Sequence, residues 1–155
     1  RDRSPSRGLG DVYKRQRLSI AVDSGACESV IDPDQVPSVA LVQTKESLSE
    51  EDDFQSATGE PIPNLGQLNI PMLTREQTTR GMVFTGAPVS KPLASVKRIC
   101  AAGHVVLFDE EGSFLYNKRT GELNVLREDS GDYMLDVYVP PSGTANETPF
   151  QWQLP

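Results

Sequence analysis

Apolar residues in this chain come in short runs with a period near two, and turn residues punctuate them. Residues 18–22 (Leu-Ser-Ile-Ala-Val) predict a strand. Asp23-Ser24-Gly25 ends it, and Ser29-Val30-Ile31 predicts a returning strand stopped by Asp32-Pro33. Residues 34–53 are polar and end in Glu50-Glu51-Asp52-Asp53, which predicts a solvated loop. From Phe54 the text is hairpin-like, with a turn signal at Ala57-Thr58-Gly59-Glu60. Ile62, Leu65, Leu68, Ile70 and Met72, spaced mostly by two, predict a half-buried strand. After the polar stretch 74–79, Gly81-Met82-Val83-Phe84 starts another strand, and Pro88 and Pro92 bracket a connection. Over 93–102, Leu93, Val96, Ile99 and Cys100 follow helical spacing. That predicts a short amphipathic helix with Gly103 just past its end.

The last third predicts a β-meander. Strands at 105–108, 113–116, 122–126 and 133–139 alternate with turns at 109–112, 117–121 and 127–132. Turns at about ten-residue spacing indicate an all-β sheet or barrel. Pro140-Pro141 ends the domain. Residues 17–140 are therefore read as one domain. Residues 141–155 are read as a Pro-rich C-terminal linker or tail, in which Phe150 and Trp152 could dock. Residues 1–16 are set apart by composition, with five Arg/Lys against two Asp/Glu and no periodicity. They resemble adapter read-through, which would leave the native N-terminus missing; an ordinary basic disordered tail is the alternative.

Composition narrows the function classes. The chain has 155 residues, 37% hydrophobic and 6% aromatic, low for one compact fold, so disordered tails are expected. The formal net charge is −7, and the +3 of residues 1–16 leaves −10 for the rest. That argues against nucleic acid and against an anionic membrane surface as partners. No apolar run approaches the roughly 20 residues of a membrane span. No secretory signal peptide is recognised. Cys27 and Cys100 do not make a disulfide scaffold, so a reducing intracellular, cytoplasmic setting is expected.

Candidate chemistry concentrates at Val22-Asp23-Ser24-Gly25-Ala26. An aspartic peptidase needs two carboxylates sharing one proton, because two at about 3 Å cannot both ionise cheaply. The ionised one activates water, and the protonated one polarises the scissile carbonyl. No metal, cofactor or covalent intermediate is required. Ile20, Ala21 and Val22 would place Asp23 at the end of a buried strand. Ser24 could hydrogen-bond across the turn, Gly25 permits close backbone approach, and Ala26 suits a crowded floor. Asp-Ser-Gly alone is common in surface turns. The apolar lead-in, the Ala after it and Val30-Ile31 sharpen the signal. Asp129-Ser130-Gly131 is an internal control. It lies between Arg127-Glu128 and Asp132, with nothing apolar leading in, and predicts a hairpin turn. Asp129 is thus no partner for Asp23. The second carboxylate would have to come from another copy, which makes a homodimer a chemical requirement.

Three blocks make residues 18–139 resemble the protease of copia-type retrotransposons, within the retropepsin group. The first is Ala21-Val22-Asp23-Ser24-Gly25-Ala26. The second is Thr58-Gly59-Glu60-Pro61-Ile62-Pro63-Asn64-Leu65-Gly66, where the family has its flap hairpin. The third is Pro92-Leu93-Ala94-Ser95-Val96, then Ile99, Ala102-Gly103-His104 and Val105-Val106-Leu107-Phe108. Asn117-Lys118-Arg119-Thr120-Gly121 and Gly131-Asp132-Tyr133-Met134-Leu135 are similar to the family's tail. Retroviral members carry Gly in the third block, whereas Ala94-Ser95 is similar to copia-type members. The resemblance implies a closed, mostly antiparallel retropepsin-like β-barrel, half of a pepsin-like fold, with one short helix. It implies a homodimer with Asp23 as the catalytic residue. It also implies a flap contributing Thr58, Gly59, Glu60, Pro61, Ile62 and Asn64 over an extended peptide, and a second apolar loop, Leu93-Ala94-Ser95, beneath the site. The implied role is self-processing of a retrotransposon polyprotein inside a particle. The alternative is a catalytically inactive remnant, or a peptide-binding or dimerisation module on the same fold.

Other residues favour bland readings. Cys100 and His104 are too few for a structural zinc, and His104 is expected at a helix end near a carbonyl. With one histidine and no nucleophile motif, triad chemistry is not indicated. Cys27 is expected to be a small packed residue, although its oxidation could hinder a dimer. The acidic run 50–53 could be an exosite for basic peptides, with a solvated loop the simpler reading.

Overall fold

The computed structural model describes residues 15–48, the backbone of 54–55, and residues 61–139. The acidic run 50–53, Thr58-Gly59-Glu60, the tail before residue 15 and the stretch from 140 onward lie outside the described residues. The described chain is mostly β-sheet with one short α-helix. In chain order the strands are β1 (Gln16–Asp23), β2 (Val30–Ile31), β3 (Leu41–Val42), β4 (Phe54–Gln55), β5 (Pro61–Ile62), β6 (Gly66–Thr74), β7 (Thr79–Gly86) and β8 (Leu93–Ser95). Helix α1 (Val96–Ala101) follows, then β9 (His104–Leu107), β10 (Ser113–Asn117), β11 (Leu123–Asp129) and β12 (Asp132–Val139).

Ten strands form one sheet in the order β3-β6-β7-β2-β8-β1-β12-β11-β10-β9. Pairing of Val137 with Thr74 and Tyr138 with Leu73 also joins β12 to β6, so the sheet meets one of its own inner strands again. The period-two pattern explains the inside. Leu68, Ile70 and Met72 on β6 point into the core with Ile20 and Val22 of β1 and Phe84 of β7. Full burial of each such side chain contributes about 1.5–3 kcal/mol. β12 is buried almost throughout because strands flank it on both sides.

The feature that matters most for the site is the placement of β8. It lies between β1 and β2, parallel to β1 and antiparallel to β2. The chain leaves β1 through the Asp23 turn and returns as β2, and a distant segment then fills the gap. β2 in turn runs parallel to β7.

Several expectations from periodicity change. Leu93, Ala94 and Ser95 belong to strand β8, and α1 begins only at Val96, with Ser95 as its N-cap. Strand pairing on both sides overrides the helical spacing there. Cys100 is exposed, and the helix buries only Ile99. Residues 62–72 are not one strand, because residues 63–65 break the chain between β5 and β6, which opens at Gly66. That glycine has φ +135°, and a Cβ there would stand 2.6 Å from the Val42 carbonyl oxygen. The polar stretch from residue 34 holds strand β3, which pairs with β6. β1 begins at Gln16, opposite Val139, one residue before the expected boundary.

Candidate active site

Asp23 is the last residue of β1, and Ile20, Ala21 and Val22 before it are buried in the core. Asp23 itself is half-buried. Its Oδ1 accepts a hydrogen bond from the Gly25 amide at 2.8 Å. A Cβ at residue 25 would stand 3.3 Å from that oxygen, so the backbone approaches the carboxylate closely there. The Ala26 amide donates to the Asp23 carbonyl at 3.4 Å. Ser24 is exposed, and the bond expected of it across the turn comes from the Gly25 amide instead.

The turn is fastened to β8 from below. Register pairs Val22 with Ala94 and Asp23 with Ser95, while Leu93 faces both Ala21 and Val30. The Ser95 hydroxyl donates to the Ala26 carbonyl at 2.7 Å. The same oxygen accepts from the Arg98 amide at 3.2 Å, capping α1. The Ser95 amide donates to the Ser29 hydroxyl at 2.9 Å. Ser29 and Ser95 are both buried. Each of these bonds is worth about 1 kcal/mol net, and more to lose once its partners are buried. Glu28, on the same turn, pairs with Arg98, on solvent-exposed side chains where such a pair is worth little.

Ser29 and Arg98, which bond to Ser95 beside the turn, are not singled out by the sequence. The available signal was a serine before Val30-Ile31 and another before a helical run, which marks an N-cap. Cys27 is exposed, not packed, because the strand from 30 inward takes the buried places.

Of the flap block, Pro61 and Ile62 form β5, paired with Gln55 and Phe54 of β4 in a two-stranded hairpin separate from the main sheet. Thr58, Gly59 and Glu60 lie outside the described residues. Asn64 closes the hairpin base by accepting from the Gly66 amide at 3.0 Å. A groove of about 350 Å³ is lined by Asn64, Gly66, Gln67, Thr85, Glu28 and Arg98, and Asp23 does not line it.

The second Asp-Ser-Gly differs in geometry. Ser130 (φ 53°) and Gly131 (φ 89°) form a two-residue hairpin turn between β11 and β12, with Asp129 opposite Asp132. Asp129 is exposed and pairs with Arg127 at 3.2 Å.

His104 opens β9 just beyond α1. Its pKa is held below the usual value, first by burial and then by the Arg80 cation, against the opposing pull of the Ile99 carbonyl. Among the described residues no group of three or more His, Cys, Asp or Glu is placed to hold a metal ion. Among them also, no helix is long and apolar enough to cross a membrane. Comparison with protein-family models, curated proteins and solved structures finds no match to this chain.

Proposed function

We propose that the chain is an aspartic endopeptidase. More particularly, we read it as the retropepsin-type peptidase of a copia-type retrotransposon polyprotein, working inside cells and within the element's particle. The observation that carries the reading is the Asp23 turn. Its carboxylate ends a buried strand, is held by the Gly25 amide, and rests on a β8 segment that Ser95 ties to Ala26. Rigid support of a lone carboxylate at a strand end is what a proton-sharing dyad needs.

In this reading two copies meet with their Asp23 side chains facing. One carboxylate keeps the shared proton and polarises the scissile carbonyl, and the other takes a proton from the attacking water. The pair titrates as a unit. The substrate is an extended peptide, and the groove lined by Glu28, Asn64 and Gln67 gives it a bed. A closed barrel of retropepsin type, with β6–β12 as its seam, belongs to the same proposal.

The test is direct. Solution mass should be twice the 17.0 kDa of one chain. Peptide cleavage at about pH 5 should disappear in Asp23→Asn without loss of the fold. A strict monomer, or cleavage unchanged by Asp23→Asn, sinks the reading. A dimer that binds peptide and never cuts it would replace the peptidase with the binding module.

A further inference from the structure

A cavity of about 450 Å³ opens between α1, the β6–β7 hairpin and the inner faces of β10–β12. It shares Glu28, Gln67, Thr85 and Arg98 with the 350 Å³ groove, and Asp23 lines neither. Its wall is largely apolar, built from Met72, Met82, Ile99, Leu115 and Leu135. The size falls within the range of small-molecule sites, roughly 300–1,000 Å³.

Its polar lining is sparse and fixed. Arg80 Nε donates to Asn124 Oδ1 at 3.3 Å, and Nη1 donates to Glu122 Oε1 at 3.4 Å. Asn124 is fully buried and is itself held, donating to Thr74 Oγ1 and Glu76 Oε1, each at 3.1 Å. Arg80 Nη2 is buried and has no hydrogen-bond partner among the described residues. The same is true of Nδ1 on His104, which lines the same cavity. A guanidinium presents its donors in a rigid fork, so bonds at Nε and Nη1 fix the direction of Nη2. Leaving such a donor buried and unpaired is unfavourable. Arg80 and His104 both line this largely apolar cavity, and each carries a buried nitrogen without a partner among the described residues. Glu28, the one acid among the lining residues, is paired with Arg98, which lines the cavity too.

We infer that this cavity binds a small amphipathic carboxylic acid, its apolar body among the methionines and leucines and its carboxyl group on Arg80 and His104. The cation selects the anion. The His104 imidazole lies on the same wall as the cation. The inference does not depend on the peptidase reading, because Arg80 and His104 lie outside the Asp23 turn, whose neighbours Glu28 and Ser29 form another part of the wall.

The probe is octanoate, with octanol and octylamine as same-length controls, titrated into the full chain by calorimetry. His104 is the single histidine in the chain, so its imidazole signals are assigned in an NMR spectrum without variants. Octanoate should bind with a Kd below about 1 mM, a reachable affinity for so small a ligand. It should shift the His104 resonances, and octanol and octylamine should bind at least about tenfold more weakly. Arg80→Gln should weaken octanoate by about tenfold or more with little change for octanol. If that variant does not fold, the comparison of the three ligands on the native chain decides. No octanoate binding overturns the inference. So does octanol binding as well as octanoate, or octanoate binding that leaves His104 unmoved.

Discussion

Replacing Ser95 with Ala removes one oxygen from the point where the Asp23 turn, β8 and α1 meet. That oxygen donates to the Ala26 carbonyl at 2.7 Å and accepts from the Arg98 amide at 3.2 Å. Ser95 is fully buried, so water does not replace it freely. Loss of an N-cap costs about 1 kcal/mol. Loss of the bond to the turn costs about 1 kcal/mol more. The bond from the Ser95 amide to the Ser29 hydroxyl survives, so β8 stays in place. For a domain of this size about 2 kcal/mol lowers the melting temperature by about 8 °C. The assay is a thermal melt of Ser95→Ala beside Ser90→Ala, an exposed control expected within about 0.5 kcal/mol of the native protein. A Ser95→Ala melt indistinguishable from the control would refute the clamp. If the chain cleaves peptide, the same substitution should also lower kcat well below the melting range, because the Ala26 side of the turn loses its anchor.

Further outcomes follow from other parts of the molecule. Asp136 is only 6% exposed and is bonded by Arg127 and Ser19, which hold its carboxyl below the ordinary value of about 3.9 despite burial. A depressed folded pKa contributes stability that is present above the unfolded value and lost as pH falls through the folded one. Asp136→Asn should therefore cost about 2–3 kcal/mol in denaturant unfolding at neutral pH, and the gap should narrow as pH falls below about 4. A gap independent of pH would refute the assignment. Gly66→Ala would set a Cβ 2.6 Å from the Val42 carbonyl oxygen at φ +135°, so a loss of about 2 kcal/mol or more is expected by the same method. Asp129→Asn should leave peptide cleavage unchanged while Asp23→Asn abolishes it, which separates the two Asp-Ser-Gly turns by turnover measurement.

Local patterning made most strands legible. Alternation along β6, the turns between β9 and β12, and the contrast between an apolar and a charged lead-in to Asp-Ser-Gly all act over a few residues, and they reappear in the structure. The all-β class with one short helix was legible for the same reason. What the chain could not state locally was which distant segment fills the space beside β1. Leu93-Ala94-Ser95 carries helical spacing, yet becomes strand because β1 and β2 offer it hydrogen bonds from both sides. That insertion, joining residues about 70 positions apart, makes Ser29 and Ser95 partners of the Asp23 turn. Gly66 likewise reads as an ordinary loop glycine until β3 presses its carbonyl against it. The cavity at Arg80 and His104 had no linear signal at all, since β7, α1 and β11 assemble it from residues that are neighbours only in the folded chain. Chain order determined the strands, the turns and Asp23 as the candidate carboxylate. Tertiary packing decided what holds that carboxylate and which side chains line the cavity at Arg80 and His104, because hydrogen bonds and burial reward proximity in space whatever the separation along the chain.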